Sequence, residues 1–117
     1  MATYYISPIG NDSTGAGTSV SPWQTLSKAF SSSTTNDTIL YDSANGNNSW
    51  VTQGITSFRN ISSYGGGTAI LDGGTTTNMW YGSFAVTNVQ FQNYVGTVAF
   101  LINDTNGIET FTNCKFV

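Results

Sequence analysis

The chain contains no histidine, a single cysteine, three cations and four leucines, and each scarcity excludes something. Without histidine, and with Cys114 as the lone thiol, neither a zinc site nor an intrachain disulfide framework is expected. The same absence leaves Cys114 without the usual base partner of a nucleophilic cysteine, so it reads as a small core residue. Lys28, Arg59 and Lys115 are the only cations against six acids, a net charge of −3. A surface that tracks phosphates needs several clustered Lys and Arg, so nucleic acid is not an expected partner. No run approaches the roughly 18 apolar residues of a membrane span. Met-Ala-Thr-Tyr-Tyr lacks the basic and apolar regions of a signal peptide. The chain is therefore expected to assemble from a cytoplasm or to have already lost an export signal. Leu26, Leu40, Leu71 and Leu101 are too few for a leucine-rich repeat.

What is present points one way. Gly, Ser, Thr and Asn together fill about half of the 117 residues, and only 8% are charged. Such a composition could be disordered, but aromatics reach 14%, which a disordered linker would not carry. Many β-branched Thr, many aromatics and many turn formers describe an all-β fold with short strands and frequent corners. The length allows one domain with one core.

Residues 3–6 read as a strand that Ser7-Pro8 ends, followed by a Gly/Ser/Asn/Asp loop from Gly10 to Val20. A helix is expected next, with Ser21 as N-cap, Pro22 at the first helical position and Gln24 completing a capping box. Trp23, Leu26 and Phe30 then share a helical face. From Asn36 onward the chain repeats: segments opening at Asn36, Asn60, Asn88 and Asn113 share a register, 24, 28 and 25 residues apart. Thr87-Asn-Val-Gln-Phe and Thr112-Asn-Cys-Lys-Phe nearly superimpose. A second series, from Thr68 and from Thr97, lies between them. This period suits a solenoid of stacked parallel strands. In it Ile39, Ile61, Val89 and Cys114 would form one internal ladder, with Phe91 over Phe116.

Two segments carry a family resemblance. Tyr4-Tyr-Ile-Ser-Pro-Ile-Gly-Asn-Asp-Ser, followed by Gly17-Thr-Ser-Val-Ser-Pro-Trp-Gln-Thr-Leu-Ser-Lys-Ala-Phe, resembles the N-terminal cap of right-handed parallel β-helix proteins of the pectate-lyase-like superfamily. The resemblance covers residues 4–30. It implies that Trp23, Leu26 and Phe30 close the open top of the first coil. The expectation is an all-β chain forming a short right-handed parallel β-helix of about four coils. Residues 1–35 would supply the strand, loop and capping helix, and residues 36–117 the coils, uncapped at their C-terminal end. The superfamily includes polysaccharide lyases and hydrolases, adhesins and phage tailspikes, so the fold alone does not choose a function.

Polysaccharide cleavage on such a scaffold calls for clustered acids, with or without Ca²⁺ and a basic residue. Asp12, Asp37, Asp42, Asp72, Asp104 and Glu109 are instead scattered. Asp12 is expected to accept backbone N–H bonds in the Gly-rich loop, and Asp72 and Asp104 to make Asx-turns. Asp37 and Asp42 fall on opposite faces of their strand, a poor pair for acid–base work. Arg59 is expected to be solvated or bonded to a turn. No catalytic residue, cofactor or metal follows from these positions. Five Asn-x-Ser/Thr sequons, at Asn11, Asn36, Asn47, Asn60 and Asn103, are expected from composition alone.

Trp50, after a polar loop, and Trp80-Tyr81, between a Gly/Thr run and Gly82, read as exposed rings that stack on a sugar or, equally, as hydrophobic plugs or contacts to a neighbouring subunit. Phe111, Phe116 and Val117 would form an open apolar edge on the last coil, which another subunit or further chain must cover. The expected function is a non-enzymatic structural module of a larger assembly, a virion component such as a decoration, fibre or spike protein, with protein subunits as partners. The alternatives are the N-terminal part of a carbohydrate-active or sugar-binding protein, with polysaccharide as partner, and a bacterial surface adhesin fragment.

Overall fold

A computed structural model of the protein describes residues 2–74, 79–93, 100–102 and 110–117. Strand β1 (Thr3–Ile6) is followed by a long loop and a short helix, α1 (Leu26–Ser32). Then come β2 (Thr38–Asp42), β3 (Asn48–Ser49), β4 (Gln53–Tyr64), β5 (Ala69–Asp72) and β6 (Trp80–Thr87). The last described strands are β7 (Val89–Gln92), β8 (Phe100–Ile102), β9 (Thr110–Thr112) and β10 (Lys115–Phe116). The strands divide between a six-stranded sheet, in the order β1-β2-β4-β6-β8 with β9 also on β6, and a four-stranded sheet, β10-β7-β5-β3. Every strand pair in both sheets is parallel.

This corrects the expected solenoid. The strands form two separate parallel sheets that do not close into coils, in a body of 35 × 30 × 25 Å with a radius of gyration of 13.0 Å, a compact globule. The expected ladder divides between the sheets. Ile39 pairs with Ile61, Ile61 with Val86 and Val86 with Phe111 in the larger sheet. Val89 instead pairs with Ala69 in the smaller one. Phe91 does lie beside Phe116, their rings stacked at 5.5 Å and 9°. The Thr68 and Thr97 series also separates, because β5 belongs to the smaller sheet and β8 to the larger.

A corner explains the misreading. Asn88 adopts φ 58, the left-handed region that Asn tolerates better than most residues, and turns the chain between β6 and β7. Val86 and Val89, three residues apart, are consequently both fully buried, one in each sheet. Asn113 repeats the corner one unit later at φ 53, and its amide donates to Asn88 Oδ1 at 2.6 Å. Asn36 is left-handed as well, at φ 72, whereas Asn60 is an ordinary strand residue inside β4.

The N-terminal segment departs from the expected capping box. The helix starts four residues late, with Thr25 as N-cap accepting from Lys28 N at 3.2 Å. Trp23 lies before the helix and runs beside β1: its N–H donates to Tyr5 O at 3.0 Å and its carbonyl accepts from Ser7 N at 2.9 Å. Backbone that would otherwise leave β1 with an open edge is thereby paired. Leu26 and Ala29 are buried, and Phe30 packs against the core.

The core lies between the sheets. Trp80 meets Phe91 edge-to-face at 5.2 Å and Phe84 at 5.7 Å, and Trp50 meets Phe91 at 4.9 Å. At Gly82, φ is 119 and an added Cβ would lie 2.1 Å from Ile55 O, so only glycine permits the close approach of β6 to β4 there.

Candidate functional site

The described acids are all hydrogen-bonded to structure around them. Asp12 reaches across the loop to the start of α1, accepting from Gln24 N (2.8 Å), Thr25 N (3.1 Å) and the Thr25 hydroxyl (2.7 Å). Asp37 accepts from Ala2 N (2.8 Å) and Thr34 N (2.9 Å). Asp42 accepts from the Ser7 hydroxyl (2.7 Å), Ala44 N (2.7 Å) and the Asn45 amide (2.6 Å). Asp72 forms the expected Asx-turn with Gly74 N (2.8 Å) and also takes the side-chain amides of Gln92 and Asn93, each at 3.0 Å. The expected turn at Asp104 lies outside the described residues, as do Glu109 and the Asn103 sequon.

Asp37 and Asp42 act on β1 together. They flank β2, and their bonds to Ala2 and Ser7 grip the two ends of β1, each across 35 residues. Both carboxylates titrate below the usual range. For Asp37 the Ala2 and Thr34 N–H groups are the main cause. For Asp42 burial pushes upward, but the Ala44, Asn45 and Ser7 donors outweigh it. Hydrogen bonds hold Asp72 low, and at Asp12 they overcome an opposing effect of burial. A depressed folded pKa means that the stabilisation is complete above the ordinary carboxylate value of about 4 and is lost as pH falls through the folded value. Stability is therefore expected to be level through neutral pH and to drop on the acid side. Hydrogen exchange should show Tyr4–Ile6 losing protection early in that drop. Asp37→Asn and Asp42→Asn together should flatten it.

Arg59 is buried, against the solvated reading. Its guanidinium donates to Ser33 Oγ (2.7 Å), Ser33 O (3.1 Å), Ser57 O and Oγ (both 2.8 Å), Phe58 O (3.2 Å) and Phe30 O (3.4 Å), and lies 4.4 Å from the centre of the Phe30 ring. Ser33 and Phe30 close the C-terminal end of α1, where a cation is favoured. Burial lowers its pKa and the charge of Asp37 raises it.

The aromatic candidates separate. Trp50 and Trp80, expected at the surface, are core residues with 1% and 0% exposure. Flanking Gly, Ser and Asn mimic a loop, but Trp50 directly follows β3 and Trp80 opens β6, so each ring turns inward at a strand end beside a turn. Tyr81 is 41% exposed. Its ring lies across Gly54 on the neighbouring strand, where a Cβ would come within 2.7 Å of the ring, so one face rests on the sheet. Phe111 is partly buried against the core, while Phe116 and Val117 are 46% and 67% exposed beside edge strand β10. The Cys114 thiol is half-buried, packs against the core and is pushed up by burial.

One surface feature was visible in the sequence only as repeat spacing. An open cleft of about 330 Å³ is lined by Ser63, Gly66, Gly67, Thr68, Asn88 and Asn113. Its lining is neutral and polar, and the Asn88–Asn113 amide pair forms part of its wall. Among the described residues no three His, Cys, Asp or Glu side chains gather as metal ligands, and no helix is long and apolar enough to cross a membrane.

The described residues thus present a parallel, two-sheet β protein with a neutral surface cleft and, at Tyr81, an exposed ring lying against the sheet. No family model, curated protein or solved structure matches it.

Proposed function

We propose that the chain is a non-enzymatic structural module of a larger assembly, with a virion as the setting and protein subunits as partners. One observation carries the structural reading: among the described residues, the acids and the one arginine are engaged in holding the backbone. Asp12, Asp37 and Asp42 and the Arg59 guanidinium all bond to backbone groups or hydroxyls at the joins between β1, α1, β2 and β4. The exposed Phe116, in edge strand β10, and Val117 after it supply an apolar contact for a neighbouring subunit. The virion setting draws on the resemblance of residues 4–30 alone.

Sedimentation of the chain at micromolar concentration, with and without Phe116→Asp, tests the assembly reading. Association that the substitution abolishes is expected, and a wild-type chain that stays monomeric contradicts self-assembly. Release of reducing ends or unsaturated uronates from a polysaccharide panel, lost in Asp42→Asn, would overturn the non-enzymatic reading.

A second reading, sugar binding, is favoured by Tyr81, whose ring lies against Gly54 and is 41% exposed. Retention of a neutral glycan by the chain, abolished by Tyr81→Ala, would place that reading first.

A further inference from the structure

The turn after β2 joins three features. Asn45 is exposed, and among the described residues it is the only asparagine followed by glycine. Gly46 has φ +108, no atom lies within 4 Å of where its Cβ would be, and its N–H has no acceptor among the described residues. The Asn45 amide is also a working donor, bonded at 2.6 Å to a carboxylate, Asp42, that is only 2% exposed.

We propose that Asn45-Gly46 is a site of spontaneous deamidation, and that its conversion disables the Asp42 cluster that ties β1 to β2. The Gly46 nitrogen, on losing its proton to solvent base, attacks the Asn45 side-chain carbonyl carbon. A carbon–nitrogen bond closes a succinimide ring, the Cγ–Nδ2 bond breaks, and the nitrogen leaves as ammonia after taking up a proton. Water then opens the ring at either carbonyl and gives aspartate or isoaspartate. Glycine favours the first step because no side chain shields the attacking nitrogen and because the left-handed backbone is open to it. Asparagine is among the thermolabile residues for this reason.

The consequence is electrostatic. The Asn45 donor to Asp42 becomes a second carboxylate, so a hydrogen bond to a charged group is replaced by like-charge repulsion. The groups around Asp42 are the Ser7 hydroxyl just after β1, the Ala44 and Asn45 N–H groups in the turn and, from β4, the Tyr64 phenol, which burial and the Asp42 charge hold above its ordinary value. None of these can neutralise the added charge. One carboxyl of the new pair must titrate above its unfolded value. The penalty is therefore present at neutral pH and shrinks as pH falls through that raised value.

The test is ageing of the intact folded chain in mildly alkaline buffer, read by peptide mapping with detection of isoaspartate. Asn45 should convert several-fold faster than Asn11, Asn47 and Asn60. The aged chain should lose exchange protection in Tyr4–Ile6 and at Ser43–Asn47. Asn45→Asp should melt below wild type at neutral pH, with the gap narrowing on acidification, while Asn45→Ser, which adds no charge, falls between them. If Asn45 converts only after unfolding in urea, the site is refuted. If Asn45 converts but the aged chain or Asn45→Asp keeps wild-type protection and melting, the link to Asp42 is refuted.

Discussion

Replacing Arg59 by methionine is expected to be among the most damaging single changes in the chain, with a loss of about 3 kcal/mol or more. Methionine fills much of the same volume but donates nothing, so the carbonyls of Ser33 and Ser57 lose the guanidinium together, while Phe30 O keeps Ser33 N and Phe58 O keeps Asn36 N. An acceptor left buried and unpaired costs about 1–3 kcal/mol, and removing a desolvated charge returns only part of the total. Arg59→Lys should recover less than half of the loss, because one ammonium cannot serve acceptors spread around a planar fork. Urea denaturation checks both variants. A methionine variant with the wild-type midpoint would show that the guanidinium contributes nothing net.

The second large effect is expected at Phe91. Its ring is fully buried and contacts Trp50, Trp80 and Phe116. Truncation to alanine should cost about 3–5 kcal/mol, the range for a buried Phe. Domains of this kind are stable by about 5–15 kcal/mol in total, so Phe91→Ala should unfold under mild denaturant. Phe116, its neighbour in register, is 46% exposed and should cost far less. Thermal melts of the two variants give the contrast, and equal losses would mean that Phe116 is as deeply covered as Phe91.

The contrast between these neighbours shows what the sequence made legible. Phe91 and Phe116 were paired correctly because Thr87-Asn-Val-Gln-Phe and Thr112-Asn-Cys-Lys-Phe repeat residue for residue, corner included. From Ile61 the ladder passes to Val86 and not to Val89. Alternation assigns faces only along an unbroken strand, and the left-handed Asn88 resets the count. Asn60, aligned with Asn88 in the repeat, is a strand residue, and nothing in its identity distinguishes the two conformations. Whether the strands close into coils or divide into two sheets is likewise set by how corners pack, not by strand periodicity. At the candidate sites, the turn role of Asp72 was legible from local chemistry, since an Asx-turn needs only its own next residues. The bonds of Asp37 and Asp42 to either end of β1, and of Arg59 to the C-cap of α1, span 26 residues or more and leave no local signature. Trp50 and Trp80 were misplaced because their polar neighbours are the turns that short strands require.

The wholly parallel pairing also governs how the chain reaches this structure. Parallel neighbours cannot be joined by a two-residue hairpin, so no described strand can zip onto the one before it. The closest pairings between described strands, such as Ala69 with Val89, bridge 20 residues, and β1 reaches its partner strand, Thr3 to Thr38, across 35. Each contact requires a long loop to close before any hydrogen bond forms, and the single described helix is too short to act as a local seed. Folding should accordingly run on the milliseconds-to-seconds scale of non-local β topologies. Through that interval the apolar strands stand unpaired, and the yield of native chain should fall as its concentration during refolding rises.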